Sequence, residues 1–451
     1  MYGGGKYSSM NKILPGFYYK FDSAKNDAIA QSDRGKAAVG LELDWGADGE
    51  IIRLDAWQFR QNAAKYFGYD STSEKLTPIR EVFKNATELI CYRLNSGGEK
   101  ATCKYATAKC SGTRGNDITI VISKAVDETD KFDVYTFLKD EKGNNIRKDK
   151  QRVSAMTELV DNDFVTFITT ATLAEDAGTA LTGGTNGTAT GESHSAFLAK
   201  LERVHYHCLG CNSSDETTIA LYSEYQKRMS HDCGKVAQLV VYGYTAENKE
   251  IRPDSYDVIV LENKVVSSGV PAHYGIFWVI GAQAGCAVNK TVQNAIYNGE
   301  YKLDVDYTQA ELALKMEHGK FMFHETINTA DVSEIRVLAD INSFETVTES
   351  ESKDYKQNQV IRVLYQIITD VGSNFNANWM GVVNNDADGR DAFKGECVKY
   401  MRGLQRIRAI SNFDPEKAIV ALGDDVESVV IALPFDKVLA MFACYSNITV
   451  G

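Results

Sequence analysis

Residues 181–209 read LTGGTNGTATGESHSAFLAKLERVHYHCL, and the character of the chain changes across them. Before Leu181 short segments are broken by turn residues; after Gly191 helices alternate with apolar strands. The glycine-rich start, Leu181 to Gly191, looks like a phosphate loop because it precedes a helix, whose first N–H groups attract anions. It lacks the Gly-Lys-Ser/Thr ending of such loops and holds no lysine. It reads instead as a crossover between two domains.

Forward from this point, Ser193 to Arg203 has helical spacing and Val204 to Leu209 reads as a strand. Thr217 to Met229 is a helix, Val236 to Tyr242 and Val258 to Leu261 are apolar strands, and Tyr274 to Ala287 is a buried helix. Thr308 to His318 is helical, and Gly319 to His324 and Glu334 to Leu338 are strands. Gln357 to Gly372 and Arg390 to Ile410 carry the strongest helical patterns. Strands at Ala418 to Ala421 and Val429 to Leu433, a short helix after Pro434 and a strand from Tyr445 to Val450 close the chain. Alternating strands and helices imply a mainly parallel or mixed sheet.

Backward from Leu181, the segments Ala101–Ala108, Ile118–Ser123, Asp133–Leu138 and Val165–Thr170 lie between glycine clusters. Several short strands at this spacing predict a β-rich module. It begins and ends beside glycine pairs, Gly97-Gly98 and Gly183-Gly184, as an insertion spliced into surface loops would. Further back, Arg34 to Leu43 and Ala86 to Leu94 read as strands, Trp57 to Phe67 as a helix, and Thr77-Pro78 as a helix start with Thr77 as its cap. Gly3, Gly4 and Gly5, then Pro15-Gly16 and the alternating Phe17, Tyr19 and Phe21, describe an extended arm. About 20 extended residues reach on the order of 60 Å.

The expected fold class is therefore a multidomain α/β (α+β) chain: a mixed-sheet body, an inserted β-rich outer domain and extended N- and C-terminal arms. The expected division is 1–20 for the N-terminal arm, 21–94 with 183–341 for the middle domain, 95–182 for the insertion, and 342–451 for the C-terminal domain.

With 451 residues, 44% hydrophobic and 24% charged, the chain has ample material for a core. A formal net charge of −12 disfavours nucleic acid and anionic membranes as partners. The N-terminus lacks the apolar stretch of a secretion signal, and nine scattered cysteines fit a reducing cytoplasm better than a disulfide framework.

His205, His207, Cys208 and Cys211 have the atoms for a zinc site. They lie on a predicted strand, where neighbours face opposite sides, and no second Cys-x-x-Cys completes the spacing. Asn384, Asp386, Asp388 and Gly389 imitate a calcium loop, but its twelfth position is Gly395 and Glu396 comes one residue late. No nucleophile motif is present. These observations favour no metal, no cofactor and no enzyme; a metal-binding enzyme using residues 205–211 is the alternative. The helix from Arg390 carries an apolar stripe of Phe393, Cys397, Met401 and Leu404, continued by Ile407 or Arg408. Lys399, Arg402 and Arg406 form a separate basic stripe, complementary to an acidic surface.

A series of short motifs runs through the whole chain. Leu14-Pro-Gly16, Arg34-Gly-Lys-Ala-Ala38, Arg93-Leu-Asn95, Gly112-Thr-Arg-Gly-Asn-Asp-Ile118 and Leu181-Thr-Gly-Gly184 come first. Gly234-Lys235, Gln238-Leu-Val-Val241, Ile341-Asn-Ser-Phe344, Ile361-Arg362, Gly389-Arg390 and Ala409-Ile-Ser-Asn-Phe413 follow. In this order and spacing the chain resembles the contractile tail sheath proteins of myophages, especially those of Gram-positive phages, defective prophages and diffocin-type bacteriocins. The resemblance implies a subunit of stacked six-subunit rings around an inner tail tube, which shortens to drive the tube through a target envelope. It implies arms that add strands to neighbouring copies through Gly3, Gly4, Gly5, Phe17, Tyr19, Phe21, Tyr445, Ile448 and Val450. It also implies a tube contact through Lys399, Arg402 and Arg406. The implied partners are other copies of the chain, the tail tube protein, and baseplate and tail terminator proteins, within a virion or tail-like particle built in the host cytoplasm. Another tail or baseplate component is a further alternative, although tube subunits are much shorter β-barrel proteins.

Overall fold

The structure, a computed structural model, describes residues 3–6, 16–19, 29, 31–128, 130–243, 254–327, 332–349 and 351–446. It contains two compact units. The larger holds residues 32–369, 407–411 and 436–451, and the smaller holds 1–31, 370–406 and 412–435.

In the larger unit the chain first lays down strand β1 (Lys36–Leu41), strand β2 (Ile51–Asp55), helix α1 (Ala56–Phe67), helix α2 (Thr77–Phe83) and strand β3 (Glu88–Arg93). Asp55 caps α1: its carboxylate accepts from the N–H groups of Trp57 and Gln58 at 2.8 and 2.7 Å. Thr77 does not cap α2. A 3-10 turn, Glu74–Leu76, precedes it, and the Thr77 hydroxyl donates back to the Glu74 carbonyl at 2.8 Å.

The chain then leaves to form a four-stranded antiparallel sheet of β4 (Ile118–Lys124), β5 (Phe132–Lys139), β6 (Asn145–Val153) and β7 (Asp176–Ala180), ordered β7-β4-β5-β6. A short pair, Ala106–Ala108 with Val165–Phe167, completes a core that includes Ile118, Ile120, Val134, Leu138 and Phe164. The edge strand β6 carries Arg147, Lys148, Lys150 and Arg152. Charge on an edge blocks pairing with another sheet.

At the neck, the outgoing chain runs against the returning one. Thr185 N donates to Glu99 O at 3.1 Å. A Cβ on Gly98 would sit 1.9 Å from Thr185 O, and one on Gly187 would sit 1.9 Å from Ser96 O. Only glycine lets two backbones pass this closely.

The return leads through α3 (Gly191–Leu201), β8 (Cys208–Gly210), α4 (Glu216–His231), β9 (Gln238–Tyr242), β10 (Val258–Leu261), α5 (Ile276–Gly285), α6 (Gln309–Glu317) and β11 (Lys320–Phe321). A seven-stranded sheet results, ordered β11-β10-β9-β8-β1-β3-β2 and parallel except at β2. Successive side chains face opposite sides, so Ala37, Val39 and Cys208 join α5 residues Phe277, Trp278 and Ile280 in one core. Ala38, Ile90, Leu209 and Leu239 join Phe197, Leu201, Ile219 and Tyr222 in the other. Both faces are covered over the middle of the sheet, which is why β10 (VIVL) and most of β1, β8 and β9 are apolar. Each fully buried large apolar side chain contributes about 1.5–3 kcal/mol. The hairpin β12 (Phe323–Ile327) and β13 (Ser333–Val337) follows β11 after one residue.

The long helix α7 (Asn358–Asn374) starts in the larger unit. The smaller unit contains α8 (Ala387–Arg406) and the hairpin β14 (Ile419–Leu422) with β15 (Val429–Ala432). The expected helix after Pro434 is instead a two-residue strand, Asp436–Lys437, antiparallel to Ile410–Ser411.

Candidate assembly interfaces

Helix α8 is amphipathic as its spacing requires. Phe393, Cys397, Tyr400, Met401 and Leu404 are buried. The Phe393 ring lies 4.8 Å from that of Trp379 and 5.5 Å from that of Phe375, and the Tyr400 hydroxyl donates to Asp370 at 2.7 Å. Arg408 falls beyond the helix end, at a φ of 63°. Asp386 starts α8 by accepting from Gly389 N at 2.8 Å, so the calcium-like sequence serves as a helix cap. At about 100° per residue, Lys399, Arg402 and Arg406 fall within an arc of about 60° opposite the buried stripe. All three are exposed, and among the described residues none of them is in an ion pair.

The hairpin β14–β15 pairs in the register Ile419↔Ala432 to Leu422↔Val429. No third strand joins it among the described residues. Its side chains are apolar yet open, with Ile419 52% and Val430 54% exposed. Asn385 Nδ2 donates to Val426 O and Ser428 O, at 3.0 and 2.9 Å, and holds the β15 end of the turn in place. Among the described residues the hairpin thus has two bare edges, and its apolar side chains stay largely open although β14 lies against α8.

The terminal segments have matching chemistry. Gly3–Lys6 and Gly16–Tyr19 are strands in parallel register, Gly3↔Gly16 to Lys6↔Tyr19. Gly3, Gly4, Gly5, Phe17 and Tyr19 thus lie on strands, whereas Phe21, Ile448 and Val450 lie outside the described residues. Beyond Lys437 the chain forms no further strand through 446, and Met441 and Tyr445 are 98% and 96% exposed.

The sequence candidates for chemistry are spread among other duties. His205 and His207 stack edge to face at 4.8 Å. His207 Nδ1 accepts from Lys36 N at 3.2 Å, and burial, with Arg34, His205 and Lys36 nearby, pushes its pKa down to about 2. Cys208 and Cys211 belong to opposite cores, and burial pushes the Cys208 thiol up to about 12. Among the described residues no group of three or more His, Cys, Asp or Glu side chains is placed to hold a metal ion, and no helix is long and apolar enough to cross a membrane. A polar cleft of about 670 Å³ opens where strand order reverses beside β1 and β8, the usual ligand position of such sheets. Three of its polar side chains are already partnered: Asp44 accepts from the Tyr69 hydroxyl, Asn95 from Leu43 N, and Asn212 bonds His273.

Sequence reading missed one cluster altogether. Asp340 and Arg362, both buried, pair at 3.2 Å. Asp340 also accepts from Gln283 (2.7 Å), Asn358 (2.9 Å), Thr291 (2.8 Å) and Val292 N (3.2 Å). Arg362 donates to Lys290 O at 2.8 Å and Gln283 Oε1 at 2.7 Å. This network fastens the start of α7 to α5 and to the segment that follows β13.

Three family models cover most of the chain: the phage tail sheath protein beta-sandwich domain at residues 96–186, the central domain at 187–343, and the phage tail sheath C-terminal domain at 350–451. The crystal structure of a sheath tail protein from Desulfitobacterium hafniense is 32% identical, with a TM-score of 0.77 over 94% of this chain and 100% of that one. Phage-like element PBSX protein XkdK of Bacillus subtilis (strain 168) is 26% identical over 100% of both chains. The helical sheath of the anti-feeding prophage in its contracted state has the same fold, with a TM-score of 0.56 at 14% identity over 97% of this chain and 99% of that one.

Proposed function

This chain belongs to the phage tail sheath protein family, and we propose that it works by polymerising into stacked six-subunit rings around a tail tube and then shortening, without catalysis. The observation that carries this reading is the bare β14–β15 hairpin. A two-stranded hairpin needs a further strand or a helix to be stable in water; here β14 lies against α8, and both hairpin edges are bare among the described residues. Strands from neighbouring copies would complete it. Main-chain hydrogen bonds supply the affinity in strand addition, and apolar side chains cover the exposed face. Gly3, Gly4, Gly5, Phe17, Tyr19 and Phe21 at one end, and Tyr445, Ile448 and Val450 at the other, are the donors in this reading.

A head-to-tail contact that does not close on itself builds a helical assembly. The extended polymer is then a kinetically trapped state that a signal at the baseplate releases, ring by ring, through the linking arms. The exposed basic face of α8, Lys399, Arg402 and Arg406, meets an acidic tube surface. Exposed charge pairs are each worth about 0–1 kcal/mol, so contraction breaks them readily. The division of labour follows the expected segments: arms at 1–20 and the extreme C-terminus, an outward-facing module at 95–182, and a tube-facing domain at 342–451. Tail terminator and baseplate proteins close the two ends of the polymer. The protein acts within the tail particle, after assembly in the host cytoplasm, and touches neither nucleic acid nor membrane.

The test is truncation. The full chain, purified alone, is expected to form tubular polymers under negative stain. Chains lacking residues 1–20 or 445–451 are expected to remain monomeric with an unchanged far-UV spectrum. Truncated chains that assemble like the full one would overturn the arm mechanism.

A further inference from the structure

Asn95 and Asn212 hold matching places at one end of the seven-stranded sheet. Each follows a strand by two residues, Asn95 after β3 and Asn212 after β8, and each is 6% exposed. These two strands flank β1, so they lie about 10 Å apart. The residues before the asparagines, Leu94 and Cys211, belong to one core of the sheet. Alternation therefore turns both asparagines to its other side, where with Asn186 they line the polar cleft.

All three carboxamide oxygens are occupied. Asn95 Oδ1 accepts from Leu43 N at 2.8 Å, Asn186 Oδ1 from Thr113 N at 3.0 Å, and Asn212 Oδ1 from His273 Nε2 at 3.0 Å. The three NH₂ groups have no partner among the described residues, and none is sealed inside the core. Polar groups of buried side chains are almost always paired. Here two donors on buried side chains, with a third beside them, call for acceptors from outside the chain.

The rest of the lining narrows the ligand. Glu42, Asp44, Glu74 and Glu300 turn an anion away, and Arg80 is already paired with Glu300 at 2.7 Å. A cation would meet NH₂ donors where it needs acceptors. A neutral hydroxyl suits both kinds of group, because one oxygen accepts and donates at once. Glu42 stands directly after β1, between the strands of the two asparagines; its exposed carboxylate is in no hydrogen bond or ion pair among the described residues. The half-buried Tyr274 adds an aromatic face. We propose that this cleft binds a neutral disaccharide: hydroxyl oxygens accept from Asn95, Asn186 and Asn212, a hydroxyl donates to Glu42, and one ring lies on Tyr274. The spacing of Asn95 and Asn212 asks for two linked rings rather than one, and a volume of about 670 Å³ is usual for a small-ligand site. An extended peptide is the poorer occupant, because the cleft lies beyond the strand ends and offers no edge for main-chain ladder bonds. The inference stands apart from the sheath reading and does not need it.

The experiment uses the full chain below its assembly concentration and reads binding by calorimetry and saturation-transfer NMR. The probes are maltose, cellobiose and N,N′-diacetylchitobiose, with spermidine and citrate as charged controls. Saturable binding of at least one disaccharide, and of neither control, is expected. Asn95→Asp and Asn212→Asp keep the bonded oxygen and lose the NH₂, so each is expected to weaken that binding up to about tenfold. Glu42→Gln, at an exposed position that the fold does not use, is expected to weaken it several-fold. The far-UV spectrum and polymerisation are expected to stay unchanged in all three variants. No binding of any of the three sugars, binding of a charged control instead, or sugar binding untouched by the variants would overturn the site. Variants that impair polymerisation while the wild type binds no sugar would place a segment of a second copy in the cleft, and would overturn it too.

Discussion

Replacing Asp340 with asparagine removes the carboxylate facing the buried Arg362 guanidinium while keeping its shape. The guanidinium keeps two neutral acceptors, Lys290 O and Gln283 Oε1, but loses its countercharge. The new amide also turns an NH₂ towards groups that now donate to Asp340, among them Thr291 Oγ1 and Val292 N. Breaking a buried pair from one side costs about 3–5 kcal/mol. That is roughly a 150- to 4,500-fold shift in the unfolding constant, a large share of a typical stability of about 5–15 kcal/mol. Urea unfolding below the assembly concentration, followed by far-UV circular dichroism and by the fluorescence of the buried Trp45 and Trp278, measures it. Replacing both partners, Asp340→Leu with Arg362→Met, is expected to recover most of the loss, because a matched apolar pair leaves no orphaned charge. A loss under about 1 kcal/mol for the single variant, or no recovery in the double one, refutes the reasoning. The pair also sets a pH dependence. Burial alone would raise the Asp340 pKa, but Arg362 and the bonds from Gln283, Asn358 and Thr291 outweigh it and hold the carboxyl below its usual range. Its stabilisation is therefore full above the unfolded pKa of about 3.9 and is lost as pH falls through the lower folded value. Asp340→Asn is expected to remove that acid-side decline.

Reversing Lys399, Arg402 and Arg406 together to glutamate is expected to prevent stable extended tails on the tube while leaving tube-free polymers unaffected; normal extended tails would sink the tube contact. Two glycine substitutions are expected to have opposite signs. Gly98→Ala drives a Cβ into the Thr185 carbonyl and costs about 1–3 kcal/mol, whereas Gly395→Ala, exposed within α8 with nothing within 4 Å of its Cβ, gains about 0.5–1 kcal/mol. Equilibrium unfolding reads both, and a destabilised Gly395→Ala would mean that the helix face at that position is covered.

Periodicity made visible the elements that bury one clear surface. Val258–Leu261 is a strand over the expected residues, and α7 and α8 lie within a few residues of expectation. The basic face of α8 was legible too, because three cations at i, i+3 and i+7 need no tertiary information. What escaped was fixed by partners distant in sequence. Strand β6, NIRKDKQRV, has no apolar rhythm and is a strand because β5 pairs with it along its whole length. Asp436–Lys437 is held by Ile410–Ser411, a two-residue contact with no local signature. The Asp340–Arg362 pair joins residues 22 apart in a chain rich in both charges. Ile361-Arg362 stood out only through resemblance, and nothing around it marks a buried cation.

The glycine neck also bears on how the molecule can be altered. Its outgoing and returning strands meet within one hydrogen bond, Thr185 N to Glu99 O, so the module beyond them presents its two ends at a single point. The body also meets the module beyond the neck: Trp45 is buried in the module's core, Arg93 donates to Ser111 O and Arg114 donates to Gly68 O. The junction is a socket with a fitted floor: a foreign domain with adjacent termini could replace the residues between Glu99 and Thr185 only if it also covers Trp45 and supplies acceptors to Arg93 in place of Ser111.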